Sequence, residues 1–207
     1  MTSSLDHVAF INGAIQTIIG HPLDTLKTWK QSNVKKLINF KNLYKGVCYP
    51  LLTNSIICHV QFNIMDYKFS HYSLNYLLTA LYSGLFLTPI EYYKIRRQNN
   101  LKLNFPKGFG ITLMREIPGC FIYFGILRNF KSFTNINSDF LAGGTAGLVS
   151  WLITYPIDSI KTKIQSDMSF KQAIKKPLFK GLNYCLARAF IANSIGYYCY
   201  VNLNKIL

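Results

Sequence analysis

The stretch Pro22-Leu-Asp-Thr-Leu-Lys-Thr-Trp-Lys-Gln31 occurs in two further versions along this chain. They read Pro89-Ile-Glu-Tyr-Tyr-Lys-Ile-Arg-Arg-Gln98 and Pro156-Ile-Asp-Ser-Ile-Lys-Thr-Lys-Ile-Gln165, so the shared pattern is Pro-x-acid-x-x-Lys-x-x-x-Gln. Consecutive copies are 67 residues apart in both steps. Self-similarity at a fixed period predicts a repeat architecture rather than a single irregular domain.

A second, shorter pattern follows each copy and precedes an apolar stretch. It reads Tyr44-Lys45-Gly46, Pro106-Lys107-Gly108 and Phe179-Lys180-Gly181. Each repeat therefore predicts a helix, a basic connection and a second helix. We expect an all-α membrane protein, one domain of residues 1–207, with repeats at 1–70, 71–134 and 135–207. The six predicted transmembrane helices surround a central cavity with pseudo-threefold symmetry and cover roughly 6–30, 46–69, 72–98, 108–131, 138–165 and 181–205.

Composition agrees with a membrane protein. Of the 207 residues, 50% are hydrophobic and only 15% are charged. Asp, Glu, Lys and Arg are absent from three long stretches, Gly46–Met65, Phe69–Ile90 and Phe140–Ile157. A helix of roughly 17–25 apolar residues spans a bilayer. The net charge of +15 resides mainly between these stretches, which favours contact with anionic lipid over nucleic-acid binding.

The thrice-repeated pattern resembles the signature of the mitochondrial carrier family, and the resemblance covers nearly the whole chain. It implies a monomeric, multi-pass transporter of the mitochondrial inner membrane that works by alternating access, often by exchange. The repeats are shorter than those usual in that family, and the missing length lies between the two helices of each repeat. Lysines cluster in these connections, so the positive-inside rule predicts that they face the matrix and that both termini face the intermembrane space.

The repeated decapeptide predicts a gate at the matrix end of the cavity. A proline within a helix removes a backbone hydrogen bond and bends the helix, so we expect three bends that converge, at Pro22, Pro89 and Pro156. In such a ring each acid can meet the lysine of the next repeat. The predicted pairs are Asp24–Lys94, Glu91–Lys161 and Asp158–Lys27. The family resemblance implies that Gln31, Gln98 and Gln165 brace these pairs by hydrogen bonding.

The opposite gate is predicted to be weaker. The family pattern near the other ends of the even-numbered helices leaves only Asp66 and Lys131 as a possible ion pair, so we expect the resting protein to open toward the intermembrane space. The resemblance also implies cardiolipin at the starts of the even-numbered helices. The residues expected to bind this lipid are Lys45, Gly46, Gly108, Lys180 and Gly181.

The predicted substrate site lies on the even-numbered helices. Arg115 and Arg188 match when the fourth and sixth helices are aligned with a shift of 73 residues, and Thr53 and Asn54 stand at the corresponding level of the second helix. A charge near mid-membrane is costly unless it is paired or functional. The Arg115-Glu116 step resembles carriers of basic amino acids, carnitine and S-adenosylmethionine. Such cargo needs an anion for its ammonium and a cation for its carboxylate.

Three alternatives remain open at this stage. Arg115 and Glu116 could form a purely structural ion pair, although adjacent residues of a helix do not face each other well. The positive charge would also suit a nucleotide or deoxynucleotide carrier, and a degenerate carrier fold could serve as a membrane adaptor without transport. We predict no catalytic residue, cofactor or metal site, because the histidines show no metal-ligand spacing and the cysteines no paired motif.

Overall fold

The computed structural model describes residues 2–31, 39–44, 47–66, 71–98, 102, 108–165 and 167–206. Within these ranges the chain is helical, without a strand, which confirms the all-α expectation for the described part. The helices are α1 (Thr2–Gln31), α2 (Phe40–Leu43), α3 (Cys48–Asp66), α4 (Tyr72–Gln98), α5 (Phe109–Thr134), α6 (Asp139–Gln165), α7 (Phe170–Lys175) and α8 (Leu182–Ile206).

Six of these helices are long, and they pack in chain order around a closed ring. The order of contacts is α1, α3, α4, α5, α6, α8 and back to α1, and α4 also touches α6 across the ring. The long helices begin and end within a few residues of the predicted bounds. The two short helices lie in connections, where α2 packs on α1 and α7 packs on α6. In the described part of the first connection, α2 has four residues.

The bundle exposes apolar side chains and buries polar ones beside its apolar core. Large apolar side chains are exposed on all six long helices, among them Ile11, Leu52, Leu85, Met114 and Ile153. Buried polar side chains include Asn12, Ser55, Asn75, Thr79, Ser83, Thr112 and Ser194. By length and composition, α5 and α6 could each cross a membrane. Exposed apolar surface of this extent marks contact with lipid or a partner.

The helices continue without a break across the signature prolines Pro22, Pro89 and Pro156. The ring of a proline cannot donate to the carbonyl four residues earlier. At Pro22 that carbonyl belongs to Ile18, and its oxygen accepts a hydrogen bond from Tyr44 Oη at 3.1 Å. The connection thus supplies a donor that the helix itself lacks. The bend at each proline stays a prediction.

Small residues bring the two long helices of a repeat close together. A Cβ on Gly143 would lie 2.4 Å from the backbone oxygen of Asn193, and one on Gly13 would lie 2.5 Å from the backbone oxygen of Asn54. At the equivalent row of α4, Tyr76 instead stacks with Phe124 of α5 at 6.1 Å between ring centroids. Aromatic contact therefore replaces close backbone contact at this row in the second repeat.

We expect Gly143→Ala to lower thermal stability, because the added methyl group would overlap the backbone of α8. Overpacking of this kind typically costs about 1–3 kcal/mol. The measurement is the melting temperature of the detergent-solubilised protein. Gly125→Ala is the matched control, since nothing lies within 4 Å of a Cβ at that position. Equal melting temperatures for the two variants would contradict the described approach of α6 and α8.

Candidate functional site

Among the described acids and lysines of the repeated decapeptide, one predicted contact is present. Lys161 of α6 donates to Glu91 Oε2 of α4, and this ion pair joins the two helices across the ring. The Lys161 side chain is only 2% exposed, whereas that of Glu91 is 29% exposed. A buried ammonium requires a paired anion, and Glu91 supplies one to Lys161.

The other two acids contact arginines that were predicted to bind substrate. Arg188 Nε of α8 lies 3.0 Å from Asp24 Oδ1 of α1, and Arg115 Nε of α5 lies 3.9 Å from Asp158 Oδ1 of α6. The two contacts are equivalent, because each arginine contacts the signature acid of the following repeat. Arg115 of the second repeat contacts the third repeat, and Arg188 of the third repeat contacts the first. The sequence prediction assigned the arginines to the substrate site and the acids to the matrix gate, and in the structure these two sets of groups are in contact. The side chains of the predicted partners Lys94 and Lys27 lie outside the described residues.

Arg115 also contacts its neighbour Glu116, through Nη2 and Oε1. The argument that adjacent helix residues face apart is therefore wrong for this pair. The arginine side chain is long enough to reach its neighbour, and both groups are largely buried, with side chains 12% and 7% exposed. In surroundings that exclude water, the attraction between opposite charges outweighs the preference of each side chain for its own helix face.

Trp151 of α6 was not identified from the sequence, yet it lies between the two arginines. Its ring centroid is 5.3 Å from Cζ of Arg115 and 5.2 Å from Cζ of Arg188. A guanidinium within about 6 Å of an indole face gains a cation–π interaction. The one sequence feature that could have indicated this role is the position of Trp151, five residues before the signature proline Pro156. An aromatic residue so close to the signature must face either the lipid or the interior of the ring.

Two other predicted residues make contacts away from this cluster. Asn54 Nδ2 donates to Thr17 Oγ1 at 3.0 Å, so its amide group connects α3 to α1. Gln165 is fully buried, and its amide atoms make no hydrogen bond with the described residues. Its Cγ lies 3.5 Å from where a Cβ of Gly108 would stand. The bracing hydrogen bond implied for Gln165 is therefore not formed there, because its side chain packs at the start of α5. Thr53 is half-buried on α3.

Two of the predicted lipid-binding glycines share an unusual backbone geometry. Gly108 precedes α5 with φ of 94°, and Gly181 precedes α8 with φ of 88°. Only glycine adopts this left-handed conformation without strain, which explains why the lysine-glycine pattern recurs. Lys180 is exposed beside Gly181, and Lys131 is exposed in the last turn of α5. Other predicted site groups lie outside the described residues, namely Lys45, Gly46 and the side chains of Gln31, Asp66 and Gln98.

Comparison with known proteins gives consistent results. The family model described as "Mitochondrial carrier protein" matches residues 134–177. The chain is 24% identical to mitochondrial ornithine transporter 1 of Schizosaccharomyces pombe, over 91% of this chain and 88% of that protein. It is 25% identical to mitochondrial arginine transporter BAC2 of Arabidopsis thaliana, over 87% and 83%. It is 27% identical to the mitochondrial basic amino acids transporter of Homo sapiens, over 91% and 79%.

We expect Glu91→Gln to destabilise the protein, because it leaves the buried Lys161 ammonium without its anion. Loss of one partner from a fully buried pair costs about 3–5 kcal/mol, and the partial exposure of Glu91 reduces that figure. The double variant Glu91→Gln/Lys161→Gln removes both charges and should recover part of the loss in melting temperature. Lys171→Gln, which alters an exposed lysine of α7, is the control. A double variant no more stable than Glu91→Gln would show that the pair is not coupled.

Proposed function

We propose that this chain, a member of the mitochondrial carrier family by the matches above, transports a small amino-acid-like solute that carries both a carboxylate and a cationic group. The observation that carries the proposal is the convergence of Arg115, Arg188 and Glu116 with Trp151 inside the helix ring. Basic amino acids, carnitine and S-adenosylmethionine fit this description. The relatives are named as transporters of ornithine, arginine and basic amino acids.

The charges of the cluster suit a cargo with an excess of positive charge. Arg115, Arg188 and Lys161 supply three cations among the described groups. The corresponding acids number four, which are Asp24, Glu91, Glu116 and Asp158. A carboxylate of the cargo can form charge-assisted hydrogen bonds with an arginine, and its ammonium or guanidinium can do so with Glu116. The indole of Trp151 offers a further surface for a cation.

We place this site in a bundle of six transmembrane helices, α1, α3, α4, α5, α6 and α8, with three pseudo-threefold repeats around a central cavity. The closed order of helix contacts and the exposed apolar surface support this arrangement. The proposed location is the mitochondrial inner membrane, as a monomer with both termini in the intermembrane space. The equivalent backbone of Gly108 and Gly181, each at a helix start, supports cardiolipin binding there.

Competition for the two arginines links cargo binding to the matrix gate. A carboxylate that binds Arg188 displaces Asp24, and one that binds Arg115 displaces Asp158. The released acids then lose a contact that held neighbouring repeats together. The Glu91–Lys161 pair, which joins α4 to α6, must separate before cargo can leave on the matrix side. This pair favours a resting state that is closed toward the matrix.

The alternatives differ in the charge that they require. A nucleotide or deoxynucleotide carrier must accept several phosphate charges, which Glu116 beside Arg115 would repel. A membrane adaptor without transport needs no compensated charge cluster in its interior, since buried ions are costly when they serve no function. Asp66 and Lys131 remain the proposed gate on the opposite side, and Thr53 and Asn54 remain proposed as further hydrogen-bonding groups for cargo.

We expect purified protein in liposomes to take up arginine, lysine, carnitine or S-adenosylmethionine, but not ATP. Glu116→Gln should reduce uptake of the cationic cargo at least tenfold, because one lost charge-assisted hydrogen bond is worth about 1.5–3 kcal/mol. The control is Lys171→Gln, which alters an exposed lysine of α7 that has no part in the proposed site or gates. Uptake of ATP in preference to every amino-acid-like solute would favour the nucleotide carrier. A folded protein that accepts none of these solutes would favour the adaptor.

Asp24→Asn tests the competition for Arg188. Removal of the Asp24 charge frees the guanidinium, so the cargo concentration at half-maximal uptake should fall severalfold. The maximal rate should fall as well, because Asp24 can no longer re-form its contact with Arg188 after cargo departs. Asp139→Asn in the first turn of α6 is the matched control, since it removes an acid at the other end of the bundle. An unchanged half-saturation in Asp24→Asn would contradict the competition.

A further inference from the structure

The connection in the first repeat is fastened to α1 by two hydroxyl groups. Thr25 Oγ1 donates to the backbone oxygen of Leu43 at 2.7 Å, and Tyr44 Oη donates to that of Ile18 at 3.1 Å. The Thr25 hydroxyl also lies 3.1 Å from the His21 oxygen of its own helix, so the contact across to Leu43 is the shorter one. Both contacts join residues far apart in the chain.

The third repeat has the same kind of fastening. Ser159 Oγ donates to the backbone oxygen of Leu178, and Tyr155 Oη donates to that of Lys180 at 2.8 Å. Thr25 and Ser159 each stand three residues after the signature proline, and Leu43 and Leu178 each stand three residues before the glycine. One contact is therefore repeated in register. The phenol is supplied by the connection in the first repeat and by the long helix in the third.

These hydroxyl groups hold connections that are too short to be stable by themselves. Helix α2 has only four residues, so it can neither form independently nor bury much apolar surface. The carbonyl of Ile18 lacks a helical donor because Pro22 stands four residues later. The phenol of Tyr44 therefore meets an unsatisfied acceptor and anchors the connection at the same time. In the third repeat Lys163 Nζ adds hydrogen bonds of 3.1 Å to the oxygens of Ala173, Lys176 and Pro177.

We propose that Thr25, Tyr44 and Ser159 are positioning residues. They make the matrix end of α1 and its connection move as one body when the gate opens, and likewise the matrix end of α6 and its connection. The inference rests on the proposed transport function. With the connection fastened, displacement of α1 carries the start of α3 with it, and displacement of α6 carries the start of α8. Without the hydroxyls, the helix ends can separate from the connections, and the motion that opens the gate is no longer transmitted within the repeat.

The test uses the full chain in liposomes and compares variants that differ by a hydroxyl. Thr25→Val and Tyr44→Phe remove the donors with little change in shape, whereas Thr25→Ser retains a hydroxyl. We expect Thr25→Val/Tyr44→Phe to lower the maximal uptake rate about fivefold to tenfold at unchanged half-saturation, since each hydrogen bond contributes about 1 kcal/mol. Thr25→Ser should behave as the unaltered protein, and Ser159→Ala should act in the same direction as Thr25→Val.

Limited trypsin digestion separates a positioning role from a general loss of stability. Detachment of the first connection should accelerate cleavage at Lys41 and Lys45 severalfold, while cleavage after Lys131 at the opposite end stays at its original rate. Equal acceleration at all three lysines, or an uptake rate and digestion pattern like those of the unaltered protein, would overturn the proposal. An unaltered protein that transports nothing would count against the proposed function, and the digestion pattern would still decide whether the hydroxyls fasten the connection.

Discussion

Compensation of buried charge is the constraint on which this bundle depends. Lys161, Arg115 and Arg188 have side chains that are 2%, 12% and 18% exposed, among helices whose outer surfaces are apolar. Ions at such depth persist only beside opposite charges. Each of the three accordingly contacts an acid on a different helix, and these contacts determine which helix ends meet. The same attraction that holds the ring together is available to a charged cargo.

Much of the architecture could be predicted from the sequence because it depends on periodicity. The 67-residue spacing, the uncharged stretches and the lysine-glycine pattern predicted an all-α chain and helix bounds within a few residues of those found. The Glu91–Lys161 contact was also predictable, because a ring of equivalent helices brings each acid to the next lysine. These inferences depend only on the positions of residues along the chain, and not on the conformations of their side chains.

The path of each long side chain was not predictable in this way. The partners found for Asp24 and Asp158 are arginines from the even-numbered helices, which spacing alone assigned to a different depth. Arg115 reaches its own neighbour Glu116 because the arginine side chain rotates about several single bonds before its guanidinium. The position of Trp151 depends on the rotation of α6 about its axis, which the weakly amphipathic apolar sequence leaves undetermined. Tertiary packing therefore decides the details of the site.

The placement of Trp151 has one more consequence. Indole emission responds to nearby charge, and this ring lies 5.3 Å from one guanidinium and 5.2 Å from another. The chain has only two tryptophans, so replacement of Trp29 would leave Trp151 as the single indole. Any solute that draws the arginines away from the ring changes the polarity around it. The fluorescence of Trp151 would therefore report solute binding to these arginines, and it can be measured in detergent without a labelled solute.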